Sequence, residues 1–470
     1  MNKKGQLPSK NVYIAIGVVV IIAVVIGVGS YIMFTGEGPA AKQEVQLPTK
    51  VKSYLEETKN KYGDKVSEIT VAYTSHPSSR AFDNMIPAFE KVTGIEVNTV
   101  MYSEMGYYNK IKLLAAGKAA PFDALYTCIE TVPVTAAYEY LTPIDQYLNN
   151  EELTPDWYGY QDIVKAYRDY GKWQGTTYAI PVAGEAAIFY YRKDLFDQYN
   201  KEPPATFEEL LDLCEFFKGK DEVDYPLALR MLPWQGTYLS EIAVHAYGGA
   251  FFDPETLEVM VTNEDTKKGI RVAKQLYTEY GPPGVANYTF SETWSDFRMG
   301  RAAMMIDASA AAPGIENPKK SKVVGKVGYT ATPKGPAGQG VHPLGWSWSI
   351  PSYVSSDRAK VSWALITYLT SKPMQETYLE SGGIVCRKSG LEQMDAPYAD
   401  TILQQLKESA QSEVAQMSLR EYATAKQSEI SSTLGSYLGG IILQDKPMGS
   451  QLQKLSDALK PVLEKLREIR

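Results

Sequence analysis

Residues 12–34 (VYIAIGVVVIIAVVIGVGSYIMF) form an apolar stretch without a single charge, and at about 1.5 Å rise per residue a helix of that length spans the hydrocarbon core of a bilayer. The pattern predicts one transmembrane anchor. Lys3, Lys4 and Lys10 precede it, which makes residues 1–11 a cytoplasmic or signal segment, although Lys42, Lys50 and Lys52 on the far side reduce the asymmetry. Residues 35–65 mix Pro, Gly, Lys and Glu with few apolar positions, the composition of a linker.

From Glu68 onward the periodicity changes. EITVAY (68–73) reads as a short β-branched strand, and RAFDNMIPAFEKVTG (80–94) places Phe82, Met85, Ile86 and Phe89 at helical spacing before Gly94. IEVNTVMY (95–102) returns as a strand. Strand, helix, strand is the unit of a parallel sheet.

The alternation continues with a helix over 107–117, a buried strand over 122–128 and a helix over 131–148 that runs into a proline-marked turn. TFEELLDLCEFFKG (206–219) has Thr206 as cap, Glu209 at the capping-box position and Gly219 as its stop. Residues 266–281 read as a further helix and 291–307 as a helix running through Gly300 into a strand. Beyond Ala399 the pattern is helical, most clearly over 452–469. The class is α/β.

At 470 residues the chain is long enough for two lobes, and 44% hydrophobic with 22% charged residues is an ordinary globular balance. A net charge of -7 with no basic stripe argues against a nucleic-acid partner, whose phosphates need concentrated Lys and Arg. Cys128, Cys214 and Cys386 lie far apart, and the histidines at 76, 245 and 342 form no H-E-x-x-H, so neither a disulfide framework, a metal centre nor a cofactor is expected. Tyrosine is abundant, with 33 copies, and offers a flat apolar face with a polar tip. In YAIPVAGEAAIFYYRKDLF (178–196) the apolar run over 178–191 is interrupted by one carboxylate, Glu185, where an unpaired charge would be costly.

The motifs AFEKVTGIEV (88–97), YAIPVAGEAAIFYYRKDLF (178–196), PPATFEELLDLC (203–214), FRMGRAAMMI (297–306) and GWSWSIPS (345–352) resemble, in order and spacing, the extracellular solute-binding proteins of ABC importers, in particular the maltose and sugar branch. The resemblance covers nearly everything from Glu68 to the C-terminus. KKGQ (3–6) is similar to archaeal prepilin-type processing sites, which would leave the protein tethered at the extracellular face of the membrane.

The resemblance implies a type II periplasmic-binding-protein-like fold, in which two lobes, each a mixed sheet flanked by helices, close on a ligand in the cleft between them. Carried over, lobe 1 comprises 66–182 plus 347–383 and lobe 2 comprises 184–345 plus 384–470, with Glu185 just past the first crossing. The implied function is capture of a carbohydrate, an oligosaccharide foremost, and delivery by a monomer to the transmembrane subunits of a permease. The chain itself would not be an enzyme.

The same resemblance supplies the ligand-binding candidates. Glu185 and Glu130 match acids that accept sugar hydroxyls; Thr74, Ser75 and His76 match a polar loop at the cleft, and Trp234 an aromatic stacking position. Tyr126, Asp307, Ser309, Trp346 and Trp348 complete the set, the two tryptophans flanking the second crossing. DASA (307–310) lacks the tryptophan that many maltose binders use as a platform, so maltose in the same pose is not implied.

Two other readings compete. The same fold could take a peptide, a polyamine or ferric ion, the last through the tyrosine pairs at 107–108 and 190–191. A membrane-anchored glycoside hydrolase would instead use Asp123 and Glu130 or Glu185 as its carboxylate pair.

Overall fold

The computed structural model describes residues 45–469 apart from 232–237, 343 and 423. The anchor expected over 12–34 and the stacking candidate Trp234 lie outside the described residues. Among the described residues no helix is long and apolar enough to cross a membrane.

The first described helix, α1 (Thr49–Tyr62), replaces part of the expected linker. Its Lys and Glu residues mask an apolar stripe of Val51, Tyr54 and Leu55, with Thr58 one turn further, spaced as one helical face requires. That stripe is buried in the core of the first sheet, and the Tyr54 hydroxyl donates to the Leu153 carbonyl at 2.9 Å. Each fully buried aliphatic side chain contributes about 1.5–3 kcal/mol.

The first sheet is formed by β1 (Glu68–Thr74), β2 (Glu96–Tyr102), β3 (Ala124–Cys128), β6 (Ala179–Glu185) and β11 (Leu344–Ser349), in the order β2-β1-β3-β11-β6. β1 runs parallel to β2 and β3, whereas β11 is antiparallel to both β3 and β6. Helices α2 (Pro77–Thr93), α3 (Glu104–Gly117) and α4 (Thr131–Ala137) follow its strands. The helix expected over 131–148 breaks after α4, because Glu139 adopts a left-handed backbone at φ 55° and Pro143 follows. A two-residue-strand hairpin, β4 (Lys172–Trp173) and β5 (Thr176–Thr177), precedes β6.

The second sheet has the order β10-β7-β9-β8, from β7 (Ala187–Arg192), β8 (Tyr225–Ala228), β9 (Ala302–Ala308) and β10 (Val327–Ala331). It is also mixed, with β8 parallel to β9 and the other pairs antiparallel. Its own core takes in α5 (Phe207–Phe217), α6 (Tyr238–Ala246) and α7 (Glu264–Gln275), and a helix α8 (Phe290–Arg298) covers Met305 and Ile315. The chain returns to the first sheet as β11, adds α9 (Ser356–Thr370) to the first core, and ends on α10 (Ala399–Gln411), α11 (Glu413–Tyr422), α12 (Gln427–Leu443) and α13 (Met448–Ile469).

Glu185 pairs with Leu344 as the last residue of β6, so it belongs to the first sheet rather than lying beyond the crossing, and Ala186 alone separates it from β7. A side chain at Gly184 would meet the Tyr167 ring at 2.4 Å, which is why only glycine fits beside it. Tyr167 uses that space to donate its hydroxyl to the Glu185 carbonyl at 3.1 Å. Residues 384–387 also stay with the first sheet, since Ile384 and Cys386 are in its core and Arg387 donates to the Gly159 and Thr370 carbonyls at 2.6 and 2.7 Å.

Candidate functional site

A cavity of ≈ 280 Å³ opens where the two sheets meet. Its walls come from β1–α2 (His76), α3 (Tyr108, Lys112), the start of α4 (Glu130), the end of β6 (Glu185) and β11 (Trp346) on the first-sheet side. The second-sheet side contributes Arg230, Tyr238, Trp294 and His342, and the first turns of α12 contribute Gln427, Ser428, Ser431 and Ser432.

His76 stands where β1 hands over to α2. Pro77 occupies the first helical position, and His76 is the N-cap: its Nδ1 accepts from the Ser78 amide at 3.3 Å while its own amide donates to Ser79 Oγ at 2.9 Å. The other ring nitrogen, Nε2, lies 3.0 Å from Glu185 Oε1. The Tyr126 hydroxyl is 3.1 Å from Nδ1.

Trp346 lies 5.3 Å from the Tyr126 ring, stacked at 16°, and 4.8 Å from His76. Those two rings are themselves 6.1 Å apart. Glu130 Oε2 accepts from Cys128 Sγ at 2.9 Å. Nearby, half-burial pulls the Lys112 ammonium below its usual range, opposed by the carboxylates of Glu429 and Glu130.

On the opposite wall Arg230 holds its guanidinium 4.2 Å over the Tyr238 ring and 3.2 Å from Asp307 Oδ1. The same oxygen accepts from Trp294 Nε1 at 2.9 Å and from the Ala308 amide at 2.7 Å. Burial pushes the Asp307 carboxyl up from its ordinary value, against the pull of Arg230. His342 Nδ1 lies 2.6 Å from Glu241 Oε2, and its ring is 4.8 Å from Tyr238.

Of the residues singled out in the sequence, His76, Glu130, Glu185 and Trp346 line the cavity together. Tyr126 backs them. Asp307 is fully buried behind Arg230 and Trp294 and does not itself line the cavity. Thr74 is buried and donates to the Tyr102 carbonyl at 3.3 Å, Ser75 is exposed, and Ser309 clasps Ala186 at the crossing, its Oγ accepting from that amide at 3.1 Å. Trp348 is core, wedged against Phe82 at 5.3 Å and Tyr126 at 5.4 Å.

Arg230, Tyr238, Trp294, His342 and the α12 serines went unread. The one available signal was in QSEISS (427–432), where polar residues facing one way alternate with Ile430 and Leu434, which face the second core. Asp123, a hydrolase candidate, is occupied elsewhere: it takes the Arg358 guanidinium at 2.7 and 2.6 Å and the Thr70 amide at 2.7 Å. Of the four paired tyrosines Tyr108 alone lines the cavity; Tyr107 and Tyr190 donate to the Ala72 and Ala308 carbonyls at 2.7 and 2.6 Å.

Residues 73–376 match the family model described as bacterial extracellular solute-binding protein. A mannitol-binding protein of Pseudomonas aeruginosa is 29% identical over 231 residues, 48% of this chain and 52% of that protein, so the match spans about half the length of that relative. An erythritol/L-threitol-binding protein of Mycolicibacterium smegmatis is 24% identical over 330 residues, covering 67% of this chain and 69% of that protein. Among solved structures, an ABC transporter solute-binding protein from Agrobacterium radiobacter in complex with ribitol is similar with a TM-score of 0.73 and 24% identity, over 84% of this chain and 98% of that one.

Proposed function

The chain belongs to the bacterial extracellular solute-binding proteins, and from that premise we propose that it captures a small neutral polyhydroxylated molecule, an acyclic polyol or a monosaccharide, in the cavity between its sheets. The observation that carries this reading is the cavity itself. At ≈ 280 Å³ it lies just under the roughly 300–1,000 Å³ of sites for drug-sized ligands, which favours a single polyol or sugar unit over the oligosaccharide expected from sequence.

Its chemistry agrees. Glu185 and Glu130 offer acceptors for hydroxyl donors, the serines of α12 offer both, and Trp346 and Trp294 offer apolar faces to a carbon backbone. His76 lies against Glu185, Arg230 against Asp307 and His342 against Glu241, so a charged ligand would find no uncompensated partner in those pairs. The relatives that bind mannitol, erythritol or threitol support the same class.

The ligand then passes to the transmembrane subunits of an ABC permease, with the protein acting as a monomer at the extracellular face, tethered through residues 12–34. A thermal-shift screen of the purified protein against D-mannitol, ribitol, erythritol, D-glucose, maltose, spermidine and ferric ion tests the class, because a ligand of the native state alone raises Tm. A rise with polyols or the monosaccharide is expected. A rise with spermidine or ferric ion alone, or glycoside hydrolysis lost in Glu130→Gln, overturns it.

A further inference from the structure

We infer that His76 is a positioning residue: its ring gives the ligand no hydrogen bond but holds the Glu185 carboxylate as the acceptor that receives one. The inference rests on the proposed binding of a polyhydroxylated molecule and deepens it.

Both ring nitrogens of His76 are committed. A backbone amide can only donate, so the Ser78 N–H, 3.3 Å from Nδ1, makes Nδ1 the lone-pair nitrogen, and the Tyr126 hydroxyl at 3.1 Å donates to the same atom. A neutral imidazole with a bare Nδ1 carries its proton on Nε2. That proton points at Glu185 Oε1, 3.0 Å away.

The chain of donors therefore runs from Tyr126 O–H to His76 and from His76 N–H to Glu185, and it leaves the ring nothing to offer a hydroxyl. A carboxylate has about four lone-pair sites, so Glu185 retains acceptor capacity after this bond. It lines the cavity and is buried at 6% exposure, so a group inside the cavity can use what remains.

Every support of that carboxylate is rigid. His76 is fixed as the cap of the 17-residue helix α2 and lies against Trp346, while the Glu185 backbone is paired to Leu344 and receives the Tyr167 hydroxyl at 3.1 Å. The acceptor is thus locked to the first sheet, one residue before the chain crosses to the second. An acceptor held in advance loses no side-chain freedom when the ligand arrives.

Two substitutions separate this role from capping alone. His76→Asn supplies one of the best N-cap acceptors but is too short to reach Glu185; His76→Gln reaches further but caps poorly. Calorimetric titration of D-mannitol, ribitol and erythritol into each variant should find His76→Asn melting close to the unsubstituted protein yet binding about tenfold or more weakly, the effect of removing a hydrogen bond to a charged group. His76→Gln should regain most of that affinity at a lower Tm. The reverse order, with Asn binding normally and Gln not, makes His76 a cap only and overturns the inference.

A second measurement needs no ligand. The chain has three histidines, so the ring nitrogens are assignable by NMR, and His76 should be the Nε2–H tautomer in the ligand-free protein. An Nδ1–H tautomer overturns the inference. Failure of the unsubstituted protein to bind any of the three probes overturns the polyol reading instead, while the tautomer still decides the hydrogen-bond assignment.

Discussion

Asp307 has no exposed surface, yet one of its oxygens gathers an indole N–H at 2.9 Å, an amide at 2.7 Å and a guanidinium at 3.2 Å. Two of those three partners, Trp294 and Arg230, face the cavity. Truncating Asp307 would remove the carboxylate beside a buried cation, and breaking a buried pair in this way costs about 3–5 kcal/mol. Asp307→Ala should therefore lower the unfolding free energy by that amount in urea titrations; a loss below about 1 kcal/mol would mean that Arg230 finds water or another partner.

At this scale the sequence yielded the acids and rings that the resemblance pointed to, such as Glu130, Glu185 and Trp346. It could not yield depth. Trp346 and Trp348 sit two apart on one strand and share a face, so alternation cannot say that one reaches the cavity and the other ends in the core. Arg230 and His342 were illegible for another reason: their meaning comes from Asp307 and Glu241, which are distant in the chain.

Among the elements, α6 and α11 are joined by a buried pair, with His245 Nε2 2.6 Å from Glu421 Oε2. The other Glu421 oxygen accepts the Phe251 and Phe252 amides, each at 2.7 Å. Burial pulls the His245 imidazolium down, but the hydrogen bond and charge of Glu421, helped by Glu241, outweigh it and leave its pKa raised above 6.5. A histidine raised on folding contributes its full stability below its unfolded value and loses it as pH climbs through the folded value. Unfolding free energy should thus fall as pH rises past 6.5, and His245→Gln should flatten that slope; an unchanged slope in the variant would assign the dependence to other groups.

Element identity was the most legible part of the sequence. EITVAY, RAFDNMIPAFEKVTG and TFEELLDLCEFFKG became β1, α2 and α5 because their periodicity and their caps agree. α1 was missed because its many Lys and Glu residues weigh more in composition than three apolar positions on one face. The helix expected through 148 ended early because nothing in the residues near Glu139 announces a left-handed backbone.

For the whole molecule, the cavity draws on both sheets, and Glu185 is fixed to the first while Arg230, Tyr238 and His342 come with the second-sheet side. A ligand touching both sides stabilises the arrangement in which the two approach, and the gain is limited to contacts that arrangement alone makes. The order of strands and helices showed an α/β class and the family resemblance implied two sheets, but neither revealed the wall that α12 contributes, since Gln427 and Ser431 lie more than 200 residues after Glu185.

A small polyol or sugar held by Glu185 inside this cavity, as proposed, would lie beside two indole rings. Trp294 and Trp346 line it, so tryptophan emission followed during titration with D-mannitol, ribitol, erythritol and D-glucose reports on it directly. A saturable change with at least one of them is expected, weakened about tenfold or more in Glu185→Gln, as for loss of a hydrogen bond to a charged acceptor. No saturable change with any of the four, or a Glu185→Gln variant that titrates like the unsubstituted protein, would contradict it.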